Sequence, residues 1–97
     1  MREGTYVIGR APGEAHRRGG RGITLADPTV SQEHAELLVL AGTCYLTDLG
    51  SRNGTWRCSG AEPQPHEAGY VEPDELLRFG ALDCRLADLL RDGPGDR

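Results

Sequence analysis

The chain contains no lysine; all 11 of its basic residues are arginine. This excludes P-loop lysines, Schiff-base lysines and lysine general bases. A GC-rich genome or codon bias is the favoured reading of the absence. Either way, every positive side-chain charge is a planar fork that suits phosphate or carboxylate. Long hydrophobic runs are lacking too. None approaches the length that spans a bilayer, and no charged-then-apolar start leads to a small-residue cleavage site. The expectation is a soluble, cytoplasmic domain with no membrane partner. Cysteine is sparse: Cys44, Cys58 and Cys84 are odd in number and irregularly spaced, with no CxxC. That is neither a disulfide framework nor a common zinc pattern. Cys44 and Cys84 read as small strand residues, Cys58 as partly exposed, and no metal or cofactor is expected.

Ninety-seven residues make one domain with one core. Hydrophobic content of 37% suits a small sandwich of short strands. The net charge of −4 argues against a general nucleic-acid binder. Charge is uneven along the chain. Residues 1–61 hold seven arginines and six acids, a balance of +1, and residues 62–97 hold four and nine, a balance of −5. The positive excess lies in the first part, where an anion site would need it, although such asymmetry is often surface scatter.

Strand patterns run through most of the chain. Thr5 to Ile8 is β-branched and aromatic and is stopped by Gly9. Ala11 to Gly22 is a glycine-rich loop with Arg17, Arg18 and Arg21. Ile23 to Leu25 is a short strand, and Asp27-Pro28-Thr29 a turn. His34 to Leu40 is too apolar for a strand with one wet face, so it is expected at the centre of a sheet. Cys44 to Leu49 returns as its hairpin partner. Asn53-Gly54 is the strongest turn signal, because both residues tolerate positive φ. Thr55 to Cys58 carries the only tryptophan, and Ser59 to Pro65 reads as a Gly/Pro loop. Ala68 to Val71, Glu75 to Phe79 and Leu82 to Leu86 follow as strands, with a helical turn over Leu86 to Leu90. Residues 1–91 are expected to form the domain and 92–97 a polar tail or linker stub. Many short strands and no long helical period predict an all-β sandwich of two twisted sheets.

Four clusters fall where strand patterns break into turns: Gly9-Arg10, Ser31-Gln32-Glu33-His34, Asp48-Leu49-Gly50-Ser51 and Arg52-Asn53-Gly54-Thr55. They place a guanidinium, a hydroxyl, an imidazole and a carboxamide in loops between strands, which is donor chemistry for an anion attached to a backbone. In this order the set closely resembles the forkhead-associated (FHA) domain, a family of phosphothreonine-peptide binding modules, over roughly residues 4 to 90. Either Gly-Arg or Asn-Gly alone would mean little; all four in register are specific. The resemblance implies a two-sheet sandwich with its binding loops at one end.

The resemblance implies roles residue by residue. Arg10 would take the phosphate through charge-assisted bonds; otherwise it is a strand-end surface arginine. Ser31 would donate its hydroxyl to a phosphate oxygen. A helix-cap reading of Ser31 is poor, because a strand follows it. Gln32 departs from the commoner arginine of the family and donates without charge. Arg52 either compensates for this or is a solvated turn residue. Asn53 would bond the peptide backbone beside the phosphothreonine while also serving as a left-handed turn residue. Thr29 would lie in the loop that selects a ligand residue a few positions after the phosphothreonine. Gly9, His34, Gly54 and Thr55 would be architectural, with His34 buttressing the loops. Arg17, Arg18 and Arg21 either flank the phosphate site or form a solvated loop, and His16 and His66 have no partner pattern.

The expected function is docking on a partner protein carrying a phosphothreonine made by a Ser/Thr kinase, with no chemistry performed. Two other classes stand beside it. One is a small hydrolase on Ser31 and His34, which lacks a third triad member and a nucleophile elbow. The other is a phospho-independent interaction module with a vestigial pocket, supported by Gln32.

Overall fold

The computed structural model describes residues 2–13 and 20–91, with the side chain of Arg91 left aside. Arg17, Arg18, His16 and the expected tail at 92–97 lie outside these residues. Nine strands and one short helix are described: β1 (Gly4–Gly9), β2 (Arg21–Thr24), β3 (Ala35–Leu40), β4 (Thr43–Asp48), β5 (Thr55–Arg57), β6 (Gln64–Pro65), β7 (Ala68–Val71), β8 (Leu76–Phe79), β9 (Leu82–Arg85) and α1 (Leu86–Arg91). A five-stranded sheet runs β2-β1-β3-β4-β7 and a four-stranded sheet runs β6-β5-β8-β9. Only the β1–β2 pair is parallel. The two layers form the predicted all-β sandwich.

Alternation along the strands builds the core. Tyr6 and Ile8 of β1, Leu37 and Val39 of β3, Cys44 and Leu46 of β4, and Leu77 and Phe79 of β8 are all buried in one cluster. Each such pair is two residues apart, the period that sends both side chains to one face. Leu86 of α1 closes the cluster. His66 ties the layers together. Its main-chain N–H donates to Thr55 O at 2.8 Å, and its Nε2 lies 2.9 Å from Leu46 O. A carbonyl only accepts, so Nε2 carries a proton. The sequence reading had given His66 no role.

Four details differ from the sequence expectations or add to them. First, β6 lies in the stretch read as a Gly/Pro loop. It is two residues long and sits at a sheet edge, where Pro65 costs no ladder bond. Second, β3 is central, as expected, but one face of it is wet: Leu38 and Leu40 are exposed, 42% and 56%. Third, the β3–β4 turn has Ala41 at φ 52° and Gly42 at φ 78°, so a non-glycine residue takes the left-handed conformation. Fourth, Asn53 does not. Among the described residues Ala41 is the only non-glycine with positive φ, and Gly50 and Gly54 supply the left-handed positions of their loop. Asn53-Gly54 is therefore no two-residue hairpin. It ends a longer connection carrying the chain from β4 in one sheet to β5 in the other.

Candidate phosphopeptide site

The loops after β1, before β3, between β4 and β5, and between β8 and β9 meet at one end of the sandwich, and Ser31 joins the first three. Its carbonyl accepts the Arg10 N–H at 2.9 Å. Its hydroxyl accepts the Arg52 N–H at 3.0 Å. Its own N–H donates to Nδ1 of His34 at 3.0 Å. With a lone pair of the Ser31 hydroxyl engaged by Arg52, its proton remains to be donated to a ligand, and such chained bonds polarise one another.

Gly9 makes the first junction possible. A Cβ there would lie 2.0 Å from Gln32 O, so only glycine lets the end of β1 lie against residues 31 and 32. Arg10 follows, exposed, with Nε donating to Val30 O at 3.1 Å. Its two terminal amino groups are the donors left for a ligand. The carbonyl of Gln32 accepts the Ala11 N–H at 3.1 Å, and the residue is exposed. Arg52 is exposed as well. The structure brings Arg10, Ser31, Gln32 and Arg52 to one loop cluster.

His34 lies beneath them and is wholly buried. Its Nδ1 accepts from Ser31, so Nε2 carries the proton and donates to Gly54 O at 2.8 Å. Phe79 meets the ring edge-on with centroids 5.7 Å apart. Both ring nitrogens are thus engaged with the backbone. His34 lacks the nucleophile–base contact with the Ser31 hydroxyl that hydrolysis would need.

Asp48 organises the β4–β5 loop. Its carboxylate accepts the Ser51 hydroxyl at 2.5 Å, the Thr55 hydroxyl at 2.7 Å, and the N–H groups of Gly50 and Ser51, each at 3.0 Å. Burial pushes the Asp48 carboxyl up. The hydrogen bonds from Ser51 and Thr55 outweigh burial and hold it below the ordinary carboxylate range. Ser51 Oγ also accepts the Gly54 N–H at 3.0 Å. Thr55 is buried here, so its architectural reading rests on a specific bond. Trp56 packs over Gly54 and donates Nε1 to Asn53 O at 3.1 Å.

Asn53 and Thr29 connect the remaining loops. Asn53 is exposed, and its Nδ2 donates to Thr29 O at 2.8 Å. Its Oδ1 and second N–H remain available. Thr29 donates its N–H and hydroxyl to Asp27 Oδ1 at 2.8 and 2.5 Å, which lowers the Asp27 carboxyl below its usual range. The same hydroxyl accepts the Ala81 N–H at 2.8 Å. A Cβ at Gly80 would sit 2.3 Å from Thr29 O. The Thr29 hydroxyl is therefore committed to tying its loop to the β8–β9 turn, and the methyl is what it offers a ligand. Sequence reasoning gives no individual role to Asp27, Asp48, Ser51, Trp56 and Gly80, although Asp48 and Ser51 stand in one of the four clusters. The first two were visible only as turn formers, and nothing local marks the last as facing Thr29. Among the described residues no group of three His, Cys, Asp or Glu side chains converges to hold a metal ion.

Comparison with known proteins agrees with this arrangement. The family model for the FHA domain matches residues 6–80. The chain is 40% identical over 65 residues to the chloroplastic zeaxanthin epoxidase of Spinacia oleracea, a match covering 63% of this chain and 10% of that protein. It therefore spans about a tenth of that relative's length. Among solved structures, it resembles the FhaA FHA domain, solved in complex with the intracellular domain of a second protein, with TM-score 0.66 and 26% identity over 86% of this chain and 79% of that one. An FHA domain from a study of phosphothreonine-dependent FHA interactions superimposes with TM-score 0.64 and 28% identity, covering 86% and 75% of the two chains. The second FHA domain of a Mycobacterium tuberculosis ABC transporter gives TM-score 0.64 and 25% identity, covering 91% and 71%. With a match spanning most of its length, two stacked sheets, and loops tied through Ser31 and His34, the chain belongs to the FHA domain family.

Proposed function

We propose that this domain binds a phosphothreonine in a partner protein phosphorylated by a Ser/Thr kinase. The observation that carries the reading is the convergence on Ser31, whose carbonyl, hydroxyl and amide hold Arg10, Arg52 and His34 in place. A phosphate brings about −1.5 to −2 charge at neutral pH and three strong acceptors. Arg10 meets it with its terminal amino groups, Ser31 with its hydroxyl, and Gln32 and Arg52 from the rim. Asn53 bonds the peptide backbone beside it. Thr29 contributes its methyl and the carbonyl that holds Asn53. The solved relatives with a complexed partner domain and phosphothreonine-dependent interactions support the same reading.

The test is calorimetric titration with one threonine peptide in phosphorylated and unphosphorylated forms, the sequence being taken from an oriented phosphothreonine library. The phosphorylated form is expected at micromolar Kd, roughly −8 kcal/mol, and the other without measurable binding. Equal affinities would replace this reading with that of a phospho-independent module.

A further inference from the structure

The outer face of the five-stranded sheet, remote from the loop cluster, has an unusual composition. Leu38, Leu40, Tyr45 and Tyr70 are all the exposed large hydrophobic residues among those described, and all four project from this face by alternation. Three of them form one cross-strand row. Leu38 pairs with Tyr45, and Tyr45 with Tyr70. The two tyrosine rings meet edge-on at 5.0 Å between centroids. Leu40 lies one row further from the loops, with Glu3 of the incoming chain bonded to Ala41 N–H at 2.8 Å beside it. Glu36 lies one row nearer the loops, between Val7 and Thr47 in the register. Across β1, β3, β4 and β7 the face is completed by Thr5, Thr43, Thr47 and Ala68, while Val7, on the same side, is wholly buried. Its charged side chains at neutral pH, among the described residues, are thus Glu3 and Glu36, both acids.

We propose that this face docks an amphipathic, basic helix of a partner protein. Helix on sheet is a standard way to cover an apolar sheet face. From Glu36 to the Leu40 row is four residues of strand, about 13 Å, which a helix covers in about nine residues. An apolar stripe flanked by Lys or Arg roughly two turns apart would pack on Leu38, Leu40, Tyr45 and Tyr70 and set a cation against each acid. The charge discriminates among occupants. Among the described residues of this face, anionic membranes and nucleic acids meet two carboxylates and no arginine. A second copy placed face to face would bring acid against acid, with Glu36 on the central strand. The row at Tyr45 lies three residues, about 10 Å, from Asp48, so the surface is separate from the phosphopeptide loops. Its use is independent of the phosphothreonine reading.

A phage-displayed library of helix-forming peptides about 16 residues long, about 24 Å, tests this. It is selected on the wild-type chain and counter-selected on Tyr70→Glu. The expected consensus has apolar residues at i, i+3 or i+4 and i+7, bordered by Lys or Arg. A peptide carrying it should lose at least tenfold in affinity for Tyr70→Glu and for Leu38→Gln, a milder exposed change that guards against misfolding. It should bind Arg10→Ala as it binds wild type. Its Lys→Glu counterpart should prefer Glu36→Lys over wild type by a similar factor. Absence of enrichment over the counter-selection, or an acidic or uncharged consensus, overturns the proposal. So does sedimentation showing a dimer that Tyr70→Glu dissociates, since the face would then belong to a second copy.

Discussion

The main-chain N–H of Ser31 donates to Nδ1 of His34 at 3.0 Å, and this bond decides which nitrogen of the ring is protonated. Nδ1 must accept, so Nε2 donates, and the carbonyl of Gly54 receives it at 2.8 Å. The imidazole is thereby a fixed strut between the loop before β3 and the loop before β5. We expect His34→Ala to cost about 2–4 kcal/mol of folding stability, from two lost bonds and the buried groups left behind. Binding should fall as a consequence. A variant with unchanged melting temperature and abolished binding would instead make His34 a direct ligand contact.

Arg10 should behave differently, because its side chain is exposed and the loop frame uses it only through Val30 O. Arg10→Ala is expected to keep the melting temperature and to lose roughly 1.5–3 kcal/mol of phosphopeptide binding, the worth of a charge-assisted bond. Ser31→Ala should weaken binding less in charge but also release the Arg52 N–H. Wild-type affinity for Arg10→Ala in calorimetry would place the phosphate elsewhere.

Asp48 sets the acid limit of the loops. Its folded carboxyl titrates below the ordinary range, so the stability it contributes is present above the unfolded value, about 3.9, and is lost as pH falls through the lower folded value. Asp48→Asn should flatten the decline in stability on acidification and lower the plateau near neutral pH. Chemical denaturation from pH 2.5 to 7 reads both. An unchanged acid slope in the variant would mean other carboxylates, such as Glu75 held low by its Arg57 partner, dominate.

Ala41 occupies a left-handed position followed by Gly42. An alanine there is strained by its Cβ, and Asn-Gly is the preferred pair for a two-residue turn with both φ positive. Ala41→Asn should stabilise the domain by about 0.5–1 kcal/mol, provided the Glu3 bond to its N–H is kept. A lower midpoint in urea than wild type would contradict the turn geometry.

The three thiols should react in order. Cys44 is buried, and Cys84 is pushed up to about 11, mainly by burial. Cys58 and Cys84 are both half-buried, so Cys58 should react first with a disulfide reagent at pH 8, Cys84 more slowly because less of it is thiolate, and Cys44 on unfolding. The raised folded value of Cys84 also means its contribution is present below the ordinary thiol range and is lost as pH rises through it. Mass mapping of the first adduct checks the order.

Much of this fold was legible from period-two patterning, because burial on one side of a strand leaves its mark in the sequence itself. Strand β3 and its hairpin to β4 are examples. Strand β6 was not, since two residues ending in Pro65 carry no pattern and exist only because β5 offers them an edge. The four loop clusters were legible as residues and illegible as a network. That Thr29 would spend its hydroxyl on Asp27 and Ala81, or that Ser31 would accept from Arg52, depends on loops far apart in sequence being brought together by the sheets. Asn53 was misjudged in backbone conformation for a related reason: the loop from β4 crosses between layers, and Gly50 and Gly54 take its sharp corners.

The frame of the site uses Gln32 and Arg52 through main-chain atoms, the carbonyl of one and the amide of the other, while both side chains reach solvent. Any residue except proline at position 52 could supply the same amide, and almost any at 32 the same carbonyl. On the proposed reading, drift at these two positions would retune which phosphorylated sequences are favoured while leaving the domain as foldable as before. Gly9, Ser31 and His34 have no such latitude. In this scaffold, selectivity can change partner by partner on an inheritance of fixed architecture.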